Sequence, residues 1–253
     1  LHDQSFVEDP TRLMRLARYR ARLGFDVEGA TRRLADEAVS GGALETVSGA
    51  RLGTELRLMA AEADPVAALA AARELNLDRA LHPKFGARDP VLARRALALL
   101  GTGGRRDRLA LAAAALEVPP TELPGLLDRL AFEAVDRDVI AAAASGAQAL
   151  AGALTRARAA SQIASAAAGA SSELVALAGA LGPAEAAARW LDSLSGVQLE
   201  ITGQDLLAEG IPQGPAVGRG LRAALDAKLD GMASGPEAEL RVALDAARKD
   251  SAG

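Results

Sequence analysis

Asp9-Pro10-Thr11-Arg12-Leu13-Met14-Arg15-Leu16-Ala17-Arg18-Tyr19-Arg20-Ala21-Arg22-Leu23-Gly24 reads as one complete amphipathic helix with its punctuation at both ends. Asp9 suits the N-cap, where a carboxylate accepts from an N–H of the first turn, and Pro10 suits the first helical position, where a missing N–H costs nothing. Gly24 suits the left-handed residue that closes a helix. Along the helical wheel Leu13, Leu16, Ala17 and Leu23 fall on one side, with Arg12, Arg15, Arg18 and Arg22 roughly opposite. A solvated arginine face is the plain reading of this pattern. Like charges at these spacings repel, however, so an anionic partner would relieve them. Arg20 lies on the apolar side and is expected to snorkel or to find an acid.

The same punctuation recurs outward from this segment. A second helix is expected over about 27–39, ending at Gly41-Gly42, and a third after Ser48. Asp64-Pro65 and Asp89-Pro90 repeat the cap-and-proline start, the latter helix ending at Gly101. Pro119-Pro120, Pro124 and Pro183 mark further breaks. From Val139 to Ala180 the chain is rich in Ala and Ser, which fits either closely packed helices or a spacer. No fixed-period repeat is visible. Half the residues are apolar but only 2% are aromatic, so the core must be built from Leu, Ala and Val. Strand-favouring residues are scarce, and the expected class is all-α.

Composition also excludes. With no Cys and two His there are no disulfides and no Cys/His zinc site. No stretch has transmembrane character, since the run Ile140–Leu154 is mostly Ala with polar residues inside it. Leu1 opens the chain without a basic-then-apolar signal segment, so a cytoplasmic protein, trimmed or part of a longer one, is expected. The net charge of −4 argues against indiscriminate nucleic-acid binding. Charge is uneven, though: residues 88–108 carry six Arg against Asp89 and Asp107.

Two segments carry candidate chemistry. In Glu8-Asp9-Pro10-Thr11-Arg12, acids and a guanidinium meet at a helix start. Cytosine and adenine each present an amino donor beside a ring-nitrogen acceptor. A carboxylate accepts from the first and a guanidinium donates to the second, whereas uracil and guanine present the reversed pattern. An N-cap Asp with a surface salt bridge to Arg12 is the structural alternative. The second segment is Ile201–Leu221, where Thr202 can cap a short helix, Gly210-Ile-Pro-Gln-Gly-Pro forms a tight hairpin, and Pro215 opens a helix to about Leu229. Glycine-rich backbone at a helix N-terminus can hold a phosphate, and Gly210, Gly214 and Gly218 permit close approach.

The stretch Ser5-Phe6-Val7-Glu8-Asp9-Pro10-Thr11-Arg12, continuing to Arg22-Leu23-Gly24-Phe25, resembles the start of the neck in bacterial-type (class II) tRNA nucleotidyltransferases and their poly(A) polymerase relatives. Ser48-Gly49-Ala50-Arg51 with Glu55-Leu56 follows the layout of that family, and Ile201–Leu221 looks like the tail of its CCA-adding members. The resemblance implies an elongated, multi-helix neck (1–64), body (65–198) and tail (199–253). It implies that Glu8, Asp9 and Arg12 recognise the nucleotide base, with CTP and ATP as substrates. Arg15, Arg18, Arg22, Arg105, Arg106, Gly210, Gly214 and Gly218 would meet phosphates of tRNA. The catalytic head, with its Mg2+, is absent from this sequence, so the chain is expected to hold no catalytic residue, metal or cofactor and to add no nucleotide alone. Its one D-x-D string, Asp136-Arg137-Asp138, has no strand or Gly-Ser turn before it. The competing expectation is a non-catalytic helical scaffold or protein-interaction module.

Overall fold

The computed structural model describes residues 4–249, and among these it is all-α: helices joined by turns, with no strand. By contact the chain divides into two compact units. One runs up to Ala151 and takes in Ala170–Ala184; the other comprises Gly152–Gly169 and the residues from Glu185 onward. No helix among the described residues is long and apolar enough to cross a membrane.

The first unit opens with a short helix α1 (Ser5–Glu8) and then α2 (Thr11–Leu23). Leu13, Met14 and Ala17 of α2 are fully buried. Leu23, expected on that face, is instead exposed in the last turn, before Gly24 closes the helix in the left-handed conformation (φ 68°). Next come α3 (Gly29–Ser40), a 3-10 turn (Ala43–Thr46), α4 (Gly49–Ala60) and α5 (Pro65–Glu74). Both α4 and α5 pack on α2. The rest of the unit is α6 (Asp78–Leu81), α7 (Pro90–Leu100), α8 (Arg106–Ala114), α9 (Leu123–Arg129) and the start of α10 (Ala134–Arg156). After α11 (Ala160–Ala166), which belongs to the second unit, α12 (Ser172–Ala180) returns to pack on α7 and α8.

The Ala-rich centre is packed helix. Ile140, Ala143 and Ala147 of α10 are buried, as are Val175, Ala176, Leu177 and Ala178 of α12. Small side chains let α12 approach α7 and α8 closely. On α4 the same economy is taken further. Gly49 and Gly53, one turn apart, face the carbonyls of Arg129 and Leu130, and a Cβ at either position would overlap that backbone. This close seat fixes the rotation of α4 and so the direction in which Arg51 and Glu55 point.

The second unit holds α11, α13 (Ala184–Arg189) leading into a π-turn (Trp190–Leu194), α14 (Gly203–Ala208), α15 (Pro215–Leu229) and α16 (Pro236–Arg248). Its core is Ile201, Leu206, Ile211, Ala224, Ala243 and Ala247. The buried Glu239 binds the Lys228 ammonium at 2.6 Å and the Glu200 N–H at 2.7 Å, which satisfies a carboxylate that would otherwise be costly there.

Candidate functional site

Three helices follow an Asp-Pro dipeptide with nearly the same Asp backbone: φ −138°, ψ 86° at Asp9; −117°, 84° at Asp64; −125°, 86° at Asp89. Two of the three carboxylates cap their helix as expected. Asp64 accepts from the Ala67 N–H at 2.9 Å and Asp89 from the Leu92 N–H at 2.8 Å. Asp9 does not. The helix starts at Thr11, and the Asp9 carboxylate meets the Thr11 N–H without bonding the amide three residues on as Asp64 and Asp89 do. With the backbone alike, the difference lies in the partners. The buried Thr11 hydroxyl donates to Asp9 Oδ1 at 2.6 Å, and Arg51 Nη2 from α4 donates to the same oxygen at 3.1 Å. Charged and hydroxyl donors outcompete a lone amide.

The Asp9 carboxylate is thus held at the surface. Oδ2 faces the guanidiniums of Arg12 at 3.7 Å and Arg15 at 3.8 Å, and the side chains of Asp9 and Arg12 are 25% and 44% exposed. Arg12 also reaches the Ser5 carbonyl at 3.4 Å. The Thr11 hydroxyl, and behind it Arg15 and Arg51, hold the Asp9 carboxyl below its ordinary pKa against the opposing effect of partial burial. Glu8 is exposed beside it.

The arginine face of α2 finds acids within the chain. Glu55 of α4, itself buried, accepts from Arg15 Nε at 2.8 Å and lies 3.8 Å from Arg18. Glu62, about two turns further on, lies 3.9 Å from Arg18 and 4.0 Å from Arg22. The Arg18 and Arg22 guanidiniums also lie over the Tyr19 ring, 5.2 and 5.4 Å from its centre, as cation–π contacts. Arg20 pairs with Glu74. Glu62 and Thr11 escaped the sequence reading. The signal for Glu62 is its seven-residue spacing from Glu55, which matches a second helix's arginine row; Thr11 carries no signal beyond its place after Asp-Pro.

The basic run 88–108 is likewise mostly absorbed. Arg88 binds Glu117, Arg94 binds Asp64, Arg105 binds Asp107, and Arg108 binds Asp136. Arg106 is exposed at the start of α8. In the D-x-D string, Asp136 lies on Arg108 and Asp138 on Arg137, both within α10. Among the described residues no group of three His, Cys, Asp or Glu is placed to hold a metal.

In the second unit α14 ends at Gly210 (φ 84°), whose N–H bonds the Leu207 carbonyl at 3.0 Å while that of Ile211 bonds Leu206 at 3.1 Å. Gly214 (φ 149°, ψ −159°) sits in a region essentially reserved for glycine and immediately precedes Pro215 of α15. Gly210, Gly214 and Gly218 are all exposed, and a Cβ at any of them would meet nothing within 4 Å, so the backbone is open at the N-terminus of α15.

No protein-family model matches the chain. It is 43% identical over 100 residues to the A-adding tRNA nucleotidyltransferase of Geobacter sulfurreducens, covering 40% of this chain and 11% of that protein. To the A-adding tRNA nucleotidyltransferase of Halalkalibacterium halodurans it is 39% identical over 83 residues, 32% of this chain and 19% of that one. The solved structure of the Thermotoga maritima CCA-adding enzyme complexed with tRNA is similar over 97% of this chain and 63% of that chain, with TM-score 0.77 and 25% identity. A CCA-adding enzyme in its apo form II matches over 97% of this chain and 61% of that chain, with TM-score 0.80 and 25% identity. The chain therefore spans a small share of the curated relatives and about three-fifths of the solved chains. By sequence over part of its length and by fold over nearly all of it, the chain resembles the helical C-terminal portion of the bacterial-type tRNA nucleotidyltransferases.

Proposed function

We propose that this chain is the nucleotide-selecting and tRNA-holding portion of a tRNA nucleotidyltransferase acting in tRNA 3′-end maturation. The observation that carries this reading is the carboxylate of Asp9. Alone among three Asp-Pro helix starts it does not bond the amide three residues on, and it is presented beside Arg12 at the surface. In this reading Asp9 accepts from the exocyclic amino group of cytosine or adenine, and Arg12 donates to the adjacent ring nitrogen. Glu8 supports the same edge. Thr11, Arg15 and Arg51 keep Asp9 ionised and aimed. The similarity to CCA-adding enzyme structures solved with CTP and with ATP supports these as the nucleotides.

Residues 1–64, 65–198 and 199–253 then serve as neck, body and tail. The open backbone at Gly210, Gly214 and Gly218 receives an RNA phosphate, as the N-terminus of α15 favours. Arg106, exposed at the start of α8, and Arg22, more than half exposed, are the arginines most open to phosphate, whereas Arg105 would reach one only by sharing Asp107. Arg15 and Arg18 would reach a phosphate only by sharing Glu55 and Glu62. The nucleotidyl-transfer chemistry and its Mg2+ belong to a catalytic head outside these residues, and the protein works in the cytoplasm.

The test is to assay the full-length gene product for transfer from CTP, ATP, UTP and GTP to tRNA lacking its 3′ CCA. Incorporation of CMP, AMP or both, with UMP and GMP excluded, is the expected result. Failure to extend tRNA with any nucleotide would overturn the reading.

A further inference from the structure

A cavity of about 290 Å3 lies between α4, α8 and α10, and the reading above gives it no role. It falls at the small end of the range for ligand pockets. Leu58, Leu111, Phe132 and Ile140 make its apolar wall, and Leu58 is 42% exposed. Arg57 lies over the Phe132 ring at 4.9 Å, its guanidinium held by the Thr54 hydroxyl at 3.2 Å and by the Ala131 carbonyl at 3.1 Å. Ala131 (φ 55°) is the left-handed residue that closes α9, its N–H bonded to the Asp128 carbonyl at 2.9 Å and that of Phe132 to Leu127 at 3.0 Å. On the polar side, Arg108 donates to Asp136 at 2.6 Å, and Arg105 lies 3.7 Å from the same carboxylate oxygen. Neither of these contacts uses the other oxygen of Asp136.

Of the three guanidiniums that line the cavity, Arg105 is paired with Asp107 and Arg108 with Asp136, while Arg57 is held over the Phe132 ring by neutral acceptors. An apolar wall beside a carboxylate–guanidinium pair suits a flat, uncharged group with a hydrogen-bonding edge. An unstacked base is such a group, and single-stranded RNA is read in this way. We propose that this cavity takes one unstacked nucleobase of bound RNA, adenine or cytosine, with its face on the Leu58–Phe132 wall and its amino edge on Asp136. The proposal rests on the RNA-binding reading.

The chain, labelled with 15N, is titrated with adenosine 5′-monophosphate, uridine 5′-monophosphate and ribose 5-phosphate while amide shifts are followed. Saturable shifts at Thr54, Leu58, Phe132 and Ile140 are expected with the adenine nucleotide and much less with the other two probes. In Ala61→Trp, which fills the cavity from the exposed end of α4, these shifts should vanish while those at Glu8–Arg15 persist. Leu58→Ser, at an already exposed position, should weaken the adenine nucleotide by about tenfold, so the test survives misfolding of the tryptophan variant. No shifts at the cavity, or equal shifts with ribose 5-phosphate, would overturn the proposal. Shifts confined to Glu8–Arg15 would do so while leaving the Asp9–Arg12 reading intact.

Discussion

Asp9→Asn in the full-length protein is expected to lower kcat/KM for CTP and ATP by about 5- to 150-fold, the range set by a bidentate edge contact of about 1–3 kcal/mol. The amide keeps one acceptor but adds a donor, so it no longer matches the amino edge of cytosine or adenine. It offers instead a donor to the carbonyl of uracil or guanine. The ratio of CTP to UTP use should therefore fall further than the rate for CTP itself. Nucleotide preference separates this from a folding effect: the ionised Asp9 carboxylate is held by Thr11, Arg15 and Arg51, so Asp9→Asn should also lower the melting temperature, but a loss of stability alone would not alter the ratio of CTP to UTP use. Asp64→Ala and Asp89→Ala remove true caps and should each cost about 1 kcal/mol with no change in nucleotide preference. Unchanged preference in Asp9→Asn would remove the residue from base recognition.

Glu55→Ala is expected to have the largest effect on stability, about 2–4 kcal/mol by urea unfolding. Its carboxylate is 6% exposed and serves both Arg15 and Arg18, and Arg18 is itself only 12% exposed. Breaking a buried pair by removing one partner costs about 3–5 kcal/mol because the other charge is stranded. Here the loss is reduced because Arg15 is 42% exposed and can turn to water. Glu55→Gln retains an acceptor for Arg15 and should lose less than half as much. A loss below about 0.5 kcal/mol for the alanine variant would mean that the arginine row of α2 is held by other contacts.

The helices were legible because their ends are written in short-range chemistry. Asp64-Pro65, Asp89-Pro90, Gly24 and Pro215 act within one turn, and the structure places helix ends at each. The failures came where a distant residue decides. Asp9 reads as a cap until Arg51, 42 residues away, is brought beside it together with the Thr11 hydroxyl. The arginine row of α2 calls for anions in the sequence, but only packing shows that Glu55 and Glu62 supply them. The Ala-rich centre has no periodic pattern strong enough to distinguish spacer from core, since alanine contributes little contrast between faces, and its burial emerges only from the pairing of α12 with α7 and α8.

If this chain holds tRNA, titrating it into fluorescent tRNA lacking the 3′ CCA, and into unstructured RNA of the same length, at two salt concentrations will separate the two RNAs. The account predicts tighter binding of tRNA, an affinity that falls steeply with salt as phosphate contacts require, and weakening by Gly214→Asp at the open backbone before α15. Equal or absent binding of both RNAs at low salt would contradict it and favour a helical scaffold instead.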